Sequence, residues 1–208
     1  MYIIEHKHIT NGRTQLLKLS GRHQLFISLF LILLLAVTRG HHFATIAHLP
    51  SASYAVFFLA GVYVSRSWIF PALLAEAAFL DYAAVTWGGV SSFCISPAYL
   101  MLIPAYGALW FTGRLFAIRY YHEHWRSLIP LLLLMTAGWF AAELMASGGF
   151  YFLSSRFAET TLTEFGGRLI KYGPGTLSSL TFYVGCAAII HVIFISLKTL
   201  RQEHSRPV

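Results

Sequence analysis

The stretch LIPLLLLMTAGWFAAELMASGGFYFL, Leu128 to Leu153, holds a single acidic or basic residue, Glu143. A bilayer's hydrocarbon core is about 30 Å thick, and a helix crosses it with about 20 apolar residues. Within that core every backbone N–H and C=O must find a partner inside the chain, and a helix supplies them all locally. The stretch therefore reads as a membrane-spanning helix, and it fixes the class as all-α integral membrane protein.

Five more apolar stretches flank it: Gln24–Thr38, Ala52–Val64, Ile69–Trp87, Pro97–Ile118 and Thr176–Lys198. The whole chain is 57% hydrophobic and 11% charged, with a mean hydropathy of +0.63. Soluble domains carry roughly 25% charged residues, so a water-soluble globule is excluded. The reading is a six-transmembrane-helix bundle forming a single domain over 1–208, with polar tails at about 1–23 and 199–208. The second stretch is short for a span and forms a tight hairpin with the third. The first follows a polar lead and ends in Thr38-Arg39-Gly40-His41-His42 without a small-x-small cleavage site, so it reads as a retained helix rather than a secretory signal.

The basic residues orient the bundle. Lys7, Arg13, Lys18 and Arg22 precede the first stretch, and Lys198, Arg201 and Arg206 close the last. Arg66 lies between the second and third, and Arg114, Arg119 and Arg126 around the turn from the fourth to the fifth. Only Arg39, Arg156, Arg168 and Lys171 remain for the opposite side, so the positive-inside bias places both termini in the cytoplasm. Three outward loops follow: Arg39–Ser51, Gly88–Ser96 and Ser154–Gly175. The third is the longest, carries mixed charge and paired glycines, and reads as a lid over a bulky ligand. The net charge of +7 comes without a basic tract, which argues against nucleic acid. No phosphate-cradling loop and no internal repeat is present, so ATP-driven transport needs another chain.

Glu76, Asp81, Glu143 and His191 fall inside the apolar stretches. Each must pair, protonate or face a cavity, because an isolated charge at membrane depth costs about 2.5–3.5 kcal/mol on insertion scales. For Glu76, Glu143 and His191 the expected role is interhelical hydrogen bonding. Asp81 lies nearer the outer face, beneath the loop that carries Cys94. This cysteine sits among serines next to Pro97, which starts the fourth helix, and a helix N-terminus favours thiolate. Cys186 lies mid-span and reads as a small buried hydrophobe too deep to reach Cys94. His41, His42 and His48 share the first outer loop, but no acidic cluster completes a zinc set, and no free metal site is expected. Most Tyr and Trp residues, Tyr54 and Tyr106 among them, read as interfacial belt residues. Tyr99 is the exception, on the first turn of the fourth helix near Cys94.

Ordered landmarks run through this half of the chain: His41-His42-Phe43, Tyr54 to Gly61, Phe70-Pro71-Ala72, Asp81-Tyr82, Phe93-Cys94-Ile95-Ser96-Pro97-Ala98-Tyr99 and Pro104 to Trp110. Together they resemble the small, solitary cobalamin-uptake membrane proteins of Gram-negative bacteria, related to the substrate-binding S-components of energy-coupling factor (ECF) transporters. The resemblance covers His41 to about Arg114. It implies a multi-pass protein of the bacterial cytoplasmic (inner) membrane that captures cobalamin or a related corrinoid on the periplasmic side for vitamin uptake. Cys94 would be the axial ligand of cobalt, which suits a soft thiolate donor. His42 and Asp81 would line the site, and Tyr99 would shape its wall. The partners implied are the corrinoid, the lipid bilayer and an ECF module, meaning a transmembrane coupling subunit plus ATPases. Leu25 to Val37 carries no Ala-x-x-x-Ala pair of the kind S-components use to dock, which leaves solitary action open. Thiolate ligation could also strip an upper ligand such as cyanide from cobalt, a secondary modifying activity. Two readings of other classes stand beside this one: a membrane-embedded Cys/His thiol enzyme for acyl or peptidyl transfer, and a non-catalytic membrane sensor or scaffold.

Overall fold

Three helix starts are written in the sequence. Ile69-Phe70-Pro71, Leu102-Ile103-Pro104 and Leu128-Ile129-Pro130 open three helices with proline in the first turn, where the missing N–H would have had no intrahelical partner. The structure is a computed structural model that describes residues 19–39, 49–89, 96–121 and 125–204. Six helices make up the described fold: α1 (Gly21–Arg39), α2 (Ser53–Tyr63), α3 (Ile69–Thr86), α4 (Leu102–Leu115), α5 (Leu128–Leu153) and α6 (Leu162–His204). Among the described residues there is no strand. A 3₁₀ turn from Pro97 leads into α4, a turn of π-helix follows it at Phe116–Tyr120, and a 3₁₀ turn at Trp125–Ser127 precedes α5. Pro97 does begin the fourth helical segment, as its position suggested.

Five segments are long and apolar enough to cross a membrane: α1, α3, α5, the α4 segment taken over Pro97–Tyr120, and α6 over Leu162–Phe194. Their outward faces carry Phe26, Phe30, Leu33, Phe79, Leu133 and Phe194, all at least 60% exposed, as lipid-facing side chains should be. The protein is a multi-pass membrane protein. Helix α2 is different. It has 11 residues, about 16 Å of helix, which is roughly half a hydrocarbon core. Yet Ser53 and every residue from Ala55 to Val62 are buried, because α2 sits in the middle of the bundle.

Its ends are pinned to α1. Arg39 Nη1 donates to Ser53 Oγ at 2.9 Å, and the Ala52 N–H donates to Thr38 Oγ1 at 3.2 Å. At the other end Ser65 donates from Oγ and from its N–H to Gln24 Oε1, at 2.7 and 3.1 Å. The segment Ser53–Ser65 therefore runs antiparallel to α1 from Arg39 back to Gln24. The distance is made up by extended backbone at Val64 rather than by more helix. Arg114 at the end of α4 clasps the same place, donating to the carbonyls of Val64 and Ser65 at 3.0 and 2.7 Å.

Helix α4 lies against α2 backbone to backbone. A Cβ on Gly61 would fall 2.1 Å from the Trp110 carbonyl oxygen, and one on Gly113 2.2 Å from that of Phe58. Such small-residue crossings are the usual way membrane helices approach closely, since lipid gives no hydrophobic drive for them to associate. Around this crossing Leu31, Phe57, Leu73, Leu109, Met135 and Leu180 bring all six helices into one core.

Cys186, expected as a small buried side chain, is exposed on α6, and two larger expectations are corrected as well. The stretch 154–175 was read as a loop because of Gly166-Gly167 and Gly173-Pro174-Gly175, but α6 begins at Leu162 and runs through Pro174, leaving 154–161 irregular. The signal was Thr161-Leu162-Thr163-Glu164, a capping-box sequence, and the Glu164 N–H does donate to Thr161 Oγ1 at 3.2 Å. A lid of 22 residues is thereby reduced to a short connector. The second correction concerns Tyr54 and Tyr106, which are not interfacial. Tyr106 is 3% exposed, and its ring stacks on Phe57 with centroids 4.1 Å apart.

Candidate functional site

Two buried polar clusters lie at the Arg39 end of the bundle. The first joins α1, α2, α3 and α4. Arg39 Nε donates to Asp81 Oδ1 at 2.7 Å and its Nη2 to Oδ2 at 2.6 Å, a bidentate pair that matches guanidinium to carboxylate geometry. The Nη1 group donates to Ser53 Oγ and, at 2.7 Å, to the Tyr106 hydroxyl. Tyr99 Oη donates to Asp81 Oδ2 at 2.7 Å. The pair keeps some access to the outside, with side-chain exposures of 14% for Arg39 and 28% for Asp81.

Of the four residues expected in a site, the structure brings Asp81 and Tyr99 into direct contact. His42 and Cys94 lie outside the described residues. The first belongs to the segment that follows Arg39 in the chain, and the second is two residues before Ser96. Sequence reading missed Arg39, Ser53 and Tyr106. A lone cation closing the first apolar stretch, set against a lone Asp inside the third, was the available signal, since both must be compensated in lipid.

The second cluster surrounds Glu143 on α5, whose residue is 3% exposed. Ser147 donates to Oε1 at 2.5 Å, one turn away on the same helix. Thr176 Oγ1 on α6 and Tyr54 Oη on α2 lie 3.1 and 3.2 Å from Oε2 as donors. Thr176 itself accepts from Trp139 Nε1 at 2.9 Å. Glu143 thus makes interhelical bonds, as expected, and the Tyr121–His191 contact at 2.8 Å does the same at the far end of the bundle. Glu76 departs from expectation: its Oε2 is buried with no hydrogen-bond partner among the described residues.

Tyr54 and Ser53 are neighbours on α2 that serve different clusters, and the rings of Tyr54 and Tyr106 meet edge to face at 6.2 Å. Beside Glu143 a cleft of about 370 Å³ opens between α5 and α6, lined by Ser147, Phe150, Tyr151, Phe157, Phe165 and Arg168 among others. The Arg168 guanidinium lies 4.4 Å from the Phe157 ring centroid and is paired with Glu164 at 3.1 Å. Among the described residues no three His, Cys, Asp or Glu side chains converge as a metal centre.

No family model and no curated protein matches the chain. Its function has to be argued from the residues.

Proposed function

We propose that the chain is the corrinoid-binding subunit of a vitamin-uptake system in the bacterial cytoplasmic membrane. It crosses six times with both termini in the cytoplasm and takes cobalamin from the periplasmic side. Cys94 supplies the axial ligand to cobalt, with Asp81, Tyr99 and His42 around it. The observation that carries this reading is the Tyr99–Asp81 hydrogen bond at 2.7 Å. Two residues 18 positions apart, singled out on separate helices by the resemblance, share one half-buried polar cluster.

Supporting arguments come from topology and chemistry. The antiparallel course of Ser53–Ser65 along α1, pinned at both ends, is what a sixth crossing requires even though α2 is short. Arg114 and the Gln24–Ser65 contact then fall at the cytoplasmic end, and Arg39, Asp81 and Tyr99 at the periplasmic end. Arg39 saturates the Asp81 charge, leaving a net-neutral polar floor, which suits an amide-rich ligand. The α5–α6 cleft is near the lower limit of small-molecule pockets and is too small for a corrin macrocycle, so the outer face above Asp81 is the better seat. An ECF module is the partner that the resemblance brings.

The test is expression with cobalamin supplied, then a cobalt count and visible spectrum on the purified protein. One cobalt per chain is expected, and Cys94→Ser should shift the spectrum to a water- or base-ligated form while Cys186→Ser leaves it unchanged. Colourless, cobalt-free wild-type protein would end this reading. A wild-type spectrum in the Cys94 variant would remove thiolate coordination.

A further inference from the structure

Among the described residues Glu143 has no ion-pair partner. Arg39 is committed to Asp81, and Arg168, across the cleft, is committed to Glu164 at 3.1 Å and to the rings of Phe157 and Tyr151. What converges on the Glu143 carboxylate is hydroxyl: Ser147, Thr176 and Tyr54, from three helices. A carboxylate at this burial is costly without a counter-charge. Hydroxyls pointing their hydrogens at it supply hydrogen bonds but no counter-charge.

We propose that this cluster is a binding site for a monovalent alkali cation, sodium, held by the Glu143 carboxylate with Ser147 Oγ and Thr176 Oγ1. The hydrogen bookkeeping allows it, because a hydroxyl is donor and acceptor at once. Thr176 Oγ1 is also 3.0 Å from the Gly173 carbonyl. With its one hydrogen turned there, and one lone pair taken by Trp139 Nε1, the other lone pair is free for a cation. Ser147 can turn its hydrogen to the carbonyl of residue 143, one turn back on its own helix, and offer a lone pair likewise. Tyr54 keeps donating to Oε2. All the ligands are hard oxygens, the donor type that alkali and alkaline-earth ions take, and the single carboxylate charge matches a monovalent ion.

Two further features favour an ion site over a structural carboxylate. Thr176 follows Gly173-Pro174-Gly175 in a helix that runs on through the proline, and Pro174 takes one N–H out of the hydrogen-bond ladder beside it. A Cβ on Gly173 would sit 3.2 Å from the Trp139 ring, so this turn of α6 is seated against the residue that orients Thr176. Ser147 also lines the α5–α6 cleft, which gives an ion and its water a route in.

The inference is independent of the corrinoid reading and goes beyond it, since nothing in that reading gives the Glu143 cluster a ligand. The test uses purified full-length protein without corrinoid. Radioactive ²²Na⁺ binding and thermal unfolding are measured in NaCl, KCl and choline chloride at one ionic strength. Saturable ²²Na⁺ binding is expected, with a higher Tm in NaCl than in choline chloride. Glu143→Gln should abolish both. Should that variant fail to fold, Ser147→Ala and Thr176→Ala should each raise the half-saturating sodium concentration at least tenfold. Absence of ²²Na⁺ binding in the wild type would overturn the proposal, as would unchanged binding in these variants. A pH-dependent Tm without any difference among the three salts would overturn it too, by making Glu143 a proton site only.

Discussion

Asp81 and Glu143 are both carboxylates inside apolar helices, and α2 reaches both clusters through adjacent residues, Ser53 accepting from Arg39 and Tyr54 donating to Glu143. The first is matched by a bidentate guanidinium, and the second only by hydroxyls. The difference is one of charge balance. The Arg39–Asp81 pair is complete as it stands, so it can hold four helices together and offer its remaining polar edge to a ligand. The Glu143 cluster satisfies its hydrogen bonds but not its charge, and so it is the one poised to take something in.

The largest test removes both clusters together by unseating α2. Gly61→Val places side-chain carbon where the Trp110 carbonyl oxygen now lies 2.1 Å from an ideal Cβ, and backbone on backbone cannot yield. We expect no monodisperse protein by size-exclusion chromatography. Gly107→Ala, whose Cβ would meet only the Phe70 ring at 3.8 Å, should behave as wild type. If Gly61→Val also ran as wild type, the close α2–α4 crossing would be wrong.

A test of intermediate size breaks one cluster and spares the other. Arg39→Met leaves Asp81 as an uncompensated, partly buried charge, at a cost of about 1–3 kcal/mol. Adding Asp81→Leu should recover most of that loss, because replacing a buried pair by apolar residues is often near neutral. Reversible unfolding in detergent reads both. A double variant no more stable than Arg39→Met alone would show that the ion pair is not what holds this end.

The smallest test compares single hydroxyls. Tyr99→Phe removes one donor from a carboxylate that keeps its guanidinium, so about 1 kcal/mol is expected. Tyr54→Phe removes one of three donors from a carboxylate with no cation, and about 2 kcal/mol is expected in sodium-free buffer. Equal losses at the two positions would erase the distinction drawn between the clusters.

Much of the architecture was legible in the residues because lipid imposes a one-dimensional rule. A run such as Leu128–Leu153 must be a helix, and the structure begins and ends α5 at those two residues. Pro97 marked the start of the fourth helical segment. The sixth helix was under-read because glycines and Pro174 suggest a loop in isolation. Here the Thr161–Glu164 cap and the seat of Gly173 against Trp139 offset their cost.

Part of the site was legible too. Asp81 stood out as a charge in an apolar run, and Tyr99 by its distance from Cys94. What the sequence determined by itself was membrane residence, the approximate helix boundaries and the need for every embedded charge to find a partner. Which partner it found was decided only in three dimensions. Arg39 is 42 residues from Asp81, and Tyr54 is 89 from Glu143. Nothing local distinguishes those two pairings from their alternatives. They follow from where α2 is seated, and Gly61 against Gly113 sets that by letting two backbones touch.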